Sequence, residues 1–131
     1  MKNASRYLVI ADDFTGANDT GVQICRRGLP VSVVFSSDGV KADDCSYVID
    51  TESRALSKTE AQEKLARQLA PVDFSSFHHV IKKVDSTLRG NIGVEIAATQ
   101  AAMNADLVLF APALPTLGRT TENAVHMLNG V

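Results

Sequence analysis

Three polar segments hold the residue types needed to grip a small anion. In the first, Asp12-Asp13-Phe14-Thr15-Gly16, two adjacent carboxylates stand ahead of glycines at 16 and 21. A carboxylate there accepts hydrogen bonds from a polyol, and free amides at a helix start meet an anion. The competing reading is that one aspartate only caps the helix. In the second segment, Asp50-Thr51-Glu52-Ser53-Arg54, the planar fork of Arg54 suits a bidentate carboxylate. Its alternative is an ion pair with Asp50 or Glu52. The third, Lys82-Lys83-Val84-Asp85-Ser86-Thr87-Leu88-Arg89-Gly90-Asn91, is the densest polar run in the chain. If it leaves a strand, Lys82 and Lys83 face opposite ways, so at most one reaches a shared site. Arg89-Gly90 reads equally well as a site residue or as a solvated turn.

Other chemistries find no support in the sequence. There is no glycine-rich Walker loop, nucleophile elbow or metal-binding cysteine cluster. His78, His79 and His126 have no metal-ligand spacing. The two cysteines, Cys25 and Cys45, are too few and too far apart for a disulfide scaffold, which predicts reduced thiols. A net charge of -2 gives no broad attraction for nucleic acid or an anionic membrane. The first residues run directly into a short apolar strand, without a signal-peptide core, so the expected location is cytoplasmic.

The elements that must position these residues follow from periodicity. Short apolar runs predict strands over 7–11, 30–35, 46–50, 79–84 and 106–111. Helices are predicted over 17–27, stopped by Gly28, and over 93–103, with Ile92, Ile96 and Met103 inward. Between them, Ser57-Lys58-Thr59-Glu60 has capping-box spacing and is followed by a stripe of Ala61, Leu65 and Leu69. The Pro- and Gly-punctuated stretch 111–121 reads as a loop that is partly structural, since prolines at a strand exit fix direction whatever the chemistry, with closure over a ligand as the alternative. Strands alternating with helices predict an α/β, doubly wound, Rossmann-like parallel sheet of about five strands with helices on both faces. In such sheets ligands bind outside the carboxyl ends of the strands, where the three polar segments fall.

Four strings in order resemble one family, that of the four-carbon acid-sugar kinases. They are 11–21, 49–56, 82–91, and 111–115 with Gly118-Arg119-Thr120-Thr121. Members phosphorylate threonate, erythronate or 3-oxo-tetronate with ATP and Mg²⁺. The resemblance implies that residues 1–131 are an incomplete N-terminal acid-sugar-binding domain, with the nucleotide-binding domain absent. It implies catalytic roles for Asp12 and Asp13, and substrate contacts from Asp12, Arg54, Lys82, Lys83, Val84, Asp85 and Ser86. Thr116-Leu117 departs from the small or polar pair more usual in the family.

Two alternatives remain at this point. One is a non-catalytic small-molecule-binding module. The other is a receiver-like phosphoacceptor domain, because Asp12, Asp13 and Asp50 imitate its acidic trio, although Ala111-Pro112 replaces the lysine expected after its fifth strand. An incomplete domain is expected to leave apolar surface open, which favours self-association or pairing with a separate nucleotide-binding domain.

Overall fold

The computed structural model describes residues 5–131. Among them, strands β1 (Tyr7–Ala11), β2 (Val31–Val34), β3 (Ser46–Asp50) and β4 (His79–Lys83) form one parallel sheet in the order β2-β3-β1-β4. Helix α1 (Phe14–Arg26) joins β1 to β2, α2 (Lys58–Leu69) joins β3 to β4, and α3 (Ile92–Met103) follows β4. The fold is therefore α/β with helices on both faces of a parallel sheet.

Alternation along the two central strands builds two cores. Leu8, Ile10, Tyr47 and Ile49 pack with Leu65 and Leu69 of α2, whereas Val9, Ala11 and Val48 pack with Ala17 and Ile24 of α1. Covered on both sides, β3 is buried along its whole length, as the sandwiched strand of a parallel sheet must be. Helix α1 packs against the sheet at Gly21, where a Cβ would stand in ordinary contact, 3.4 Å from the Val33 side chain. The capping box forms as its spacing requires, with Ser57 and Glu60 exchanging side-chain-to-backbone hydrogen bonds and Ala61, Leu65 and Leu69 buried beneath them.

Four expectations need correction. The stretch 106–111 forms no strand, so the sheet has four strands among the described residues, and Leu107 and Leu109 are 85% and 90% exposed. α1 starts at Phe14, three residues earlier than periodicity suggested, because Asp13 caps it. In α3 the buried residues are Glu95 and Thr99, whereas Ile96 and Met103 are only half-buried beside the unpaired edge of β4. Finally, the segment read as loop to residue 121 enters an antiparallel hairpin, β5 (Arg119–Glu122) and β6 (Val125–Leu128). Positive φ at both Asn123 (50°) and Ala124 (62°) supplies the tight turn such a hairpin needs.

Candidate functional site

Since β3, β1 and β4 are adjacent, the loops leaving their carboxyl ends meet at one edge of the sheet. At that edge Arg54 is the hub. Its Nε donates to Asp12 Oδ2 at 3.0 Å and its Nη2 to Asp12 Oδ1 at 2.9 Å, while Nη1 donates to Asp13 Oδ2 at 2.9 Å. Asp85 Oδ1 lies 3.6 Å from the same Nη1. The pairing with Asp50 or Glu52 weighed from sequence does not form. Instead, partners more than forty positions away hold Arg54's guanidinium above its ordinary pKa, chiefly through the Asp12 carboxylate.

The two adjacent aspartates divide the work. Asp12 is buried, 2% exposed, with its carboxylate committed to Arg54 and its carbonyl accepting from the amides of Ser53 and Arg54. Asp13 is half-buried: Oδ1 accepts from the Gly16 amide and caps α1, while Oδ2 meets Arg54 at the cleft. Capping and site membership, posed as alternatives from sequence, coexist in one side chain.

The two lysines part as strand alternation requires. Lys83 lies against the start of α1 near Gly16 and its Nζ donates to the Val84 carbonyl. Lys82 leaves on the opposite face, where its Nζ is 3.3 Å from Glu95 Oε1, so the structure does not bring it to the cleft. The Val84 side chain also lies away from the cleft, in the groove between β4 and α3. Asp85 organises the next loop, accepting from Thr87 Oγ1 at 2.6 Å and from Arg89 Nε and Nη2 at 2.9 and 3.0 Å. Arg89 foremost, with Thr87, holds the Asp85 carboxyl well below the usual carboxylate range.

Together these loops border an open cleft of about 980 Å³. Asp13, Arg54, Lys83, Asp85, Ser86 and Arg89 line its polar side, and Leu114 and Leu117 approach from the stretch before the hairpin. The hairpin is tied to this rim by His126, whose Nε2 donates to the Ser86 carbonyl at 2.7 Å. Since that nitrogen carries the proton, a neutral ring leaves Nδ1 to accept from the Thr121 hydroxyl at 2.9 Å. Sequence reasoning assigned His126 no role, and only the fold reveals its tether.

Asp50, third member of the receiver-like trio, is 1% exposed and lines none of the cleft. Burial first, then the neighbouring Glu52 carboxyl, pushes its pKa up to about 6, and its Oδ2 has no hydrogen-bond partner. Thr51, Ser53 and Glu95, all buried behind Arg54, were missed from sequence; the one available signal was a glutamate inside an apolar helix.

A parallel α/β domain with a charged cleft at its strand ends is the class that fold and site define. The sugar-binding N-terminal domain family model matches residues 7–131, and the chain belongs to that family. It is 41% identical over 128 residues to a D-threonate kinase of Salmonella typhimurium, covering 96% of this chain and 30% of that protein. A D-erythronate kinase of Heliobacterium modesticaldum is 34% identical, over 97% of this chain and 30% of its own length. A 3-oxo-tetronate kinase of Brucella melitensis is 33% identical, again over 30% of its length. The chain thus spans about a third of these relatives. A Bordetella bronchiseptica crystal structure of a domain of unknown function, a domain-swapped dimer with bound citrate, superposes with a TM-score of 0.85 at 30% identity, covering 95% of this chain and 34% of that one.

Proposed function

We propose that the cleft binds a four-carbon sugar acid, threonate, erythronate or 3-oxo-tetronate, as the acceptor half of an ATP-dependent kinase. The observation that carries this reading is the convergence of Arg54, Lys83 and Arg89 with Asp13 and Asp85 around one open cleft. Cations of that set suit a substrate carboxylate, and carboxylates beside them suit its hydroxyls. The kinase names of the relatives and the citrate bound to the Bordetella protein point the same way.

In this proposal Lys83 and the outward edge of Arg54 hold the substrate carboxylate. Asp13, lining the cleft, orients the acceptor hydroxyl and takes its proton, while Asp12 acts on the site through Arg54. Asp85 and Ser86 complete the polar wall. No cluster of three or more carboxylate, histidine or thiol groups able to hold a metal ion occurs among the described residues. ATP with Mg²⁺ is assigned, in this proposal, to the part of the full-length relatives that this chain does not cover, and the residues described here bind and orient the acceptor and, through Asp13, take its proton. Transfer itself needs donor and acceptor held in line.

Calorimetric titration of D-threonate and D-erythronate into wild type, Lys83→Met and Arg54→Lys tests the reading. A saturable signal in wild type that weakens in both variants is expected. Equal heats in all three proteins would remove both cations from the site.

A further inference from the structure

Lys82 and Glu95 form a buried ion pair that the cleft does not use. Glu95 is 1% exposed, Lys82 is 10% exposed at its side chain, and neither lines the cleft. A buried pair of this kind is weak support for stability, because well-packed apolar residues of similar volume often serve as well or better. Its value lies in what else the carboxylate holds.

Glu95 Oε1 accepts from Ser53 Oγ at 2.9 Å, and Thr51 Oγ1 stands 2.7 Å from the same Ser53 oxygen. A carboxylate only accepts, so the Ser53 hydroxyl donates to Glu95, while the single proton of the neighbouring Thr51 hydroxyl is also claimed by the Ala11 carbonyl at 2.9 Å. Ser53 directly precedes Arg54 and is fully buried. Its amide donates to the Asp12 carbonyl at 3.0 Å, and its own carbonyl accepts from Asn91 Nδ2 at 3.3 Å. The backbone that launches Arg54 is therefore held by Asp12 just after β1, by the N-cap of α3 and, through a side chain, by the first turn of α3.

We infer that Glu95, acting through the Ser53 hydroxyl, is a positioning residue that sets where Arg54 stands in the cleft. Lys82, 3.3 Å from Glu95 Oε1, orients that carboxylate, a role that replaces the direct substrate contact expected of the lysine. The inference deepens the sugar-acid reading and, for its effect on affinity, rests on it. An anchor displaced by about an ångström weakens binding steeply, because the guanidinium fork must match its partners in angle as well as distance.

Two double variants of the chain separate positioning from packing. Lys82→Met with Glu95→Gln removes both buried charges yet keeps an acceptor for Ser53. Lys82→Met with Glu95→Leu removes the acceptor as well. Ser53→Ala cuts the same link while leaving the ion pair in place. The readouts are the Arg54 Nε–H resonance in ¹⁵N-labelled protein without ligand, and D-threonate affinity by calorimetry. With Gln at 95, resonance and affinity stay near wild type. With Leu at 95, and in Ser53→Ala, the resonance shifts and affinity falls roughly tenfold. An Arg54 resonance that is the same in the Gln and Leu double variants and in wild type would overturn the inference. Absence of D-threonate binding by wild type would instead remove the sugar-acid reading, and the resonance would still decide whether Glu95 positions Arg54.

Discussion

Arg54 and Asp12, forty-two positions apart, meet as a two-pronged pair, with Nε and Nη2 at 3.0 and 2.9 Å from the two oxygens of one buried carboxylate. The pair closes the space between the loops leaving β1 and β3, and Asp13 and Asp85 flank it. One guanidinium thus joins the packing of the sheet edge to the charge pattern of the cleft.

Removing that guanidinium strands Asp12 as an uncompensated buried charge, a loss of about 3–5 kcal/mol. Arg54→Ala is expected to lower the urea midpoint accordingly. Arg54→Lys recovers only part, since an ammonium cannot make two parallel bonds. An Arg54→Ala midpoint equal to wild type would contradict the coupling.

Gly90 is the tightest backbone approach to this pair. Its φ is +95°, and a Cβ there would stand 2.8 Å from Asp12 Oδ2 and 3.2 Å from Arg54 Cγ. Gly90→Ala combines left-handed strain with a clash against held groups, at about 1–3 kcal/mol. Thermal melts should show the loss, and calorimetry should show weaker sugar-acid binding. A neutral Gly90→Ala would mean that the pair has room to move.

The pH dependence of stability should carry the signature of Asp50. Its folded pKa of about 6 lies above the ordinary 3.8, so the folded state holds this proton more tightly than the unfolded chain does. The stabilising contribution is complete below 3.8 and is lost as pH rises through about 6, above which an ionised carboxylate is buried without a full set of partners. Asp50→Asn should therefore stabilise the protein above that pH, on the order of 1–3 kcal/mol, and do little in acid. Denaturation curves at both pH extremes check this. A variant no more stable than wild type at the alkaline end would contradict it.

The apolar run 106–111 faces solvent beside the unpaired edge of β4. Exposed apolar residues next to an open strand edge favour association. Sedimentation velocity across a wide concentration range should show a growing larger species. Leu107→Lys with Leu109→Lys should suppress it. A single monomeric boundary at every wild-type concentration would contradict this expectation.

How much of this was legible depended on how local the cause was. β1, β3 and the capping box of α2 could be read residue by residue, because unbroken apolar runs and Ser57–Glu60 spacing act within a few positions. The run 106–111 has the same apolar signal but makes no ladder in this structure, because a strand exists only when paired. The hairpin's turn uses Asn123-Ala124 in place of the stronger Asn-Gly signal. Within the candidate site, the residue types at strand ends announced the cleft, and alternation correctly sent Lys82 and Lys83 apart. Burial of Glu95 was not legible, since its cause is Lys82 on another element. For the same reason the Arg54–Asp12 pairing had no local trace.

The central claim is tested most directly by a crystal of the chain grown with saturating D-threonate. The account predicts one ligand in the cleft, its carboxylate within hydrogen-bond reach of Lys83 Nζ and a hydroxyl within reach of Asp13. A ligand seated elsewhere, or a cleft left empty at saturation, would contradict it.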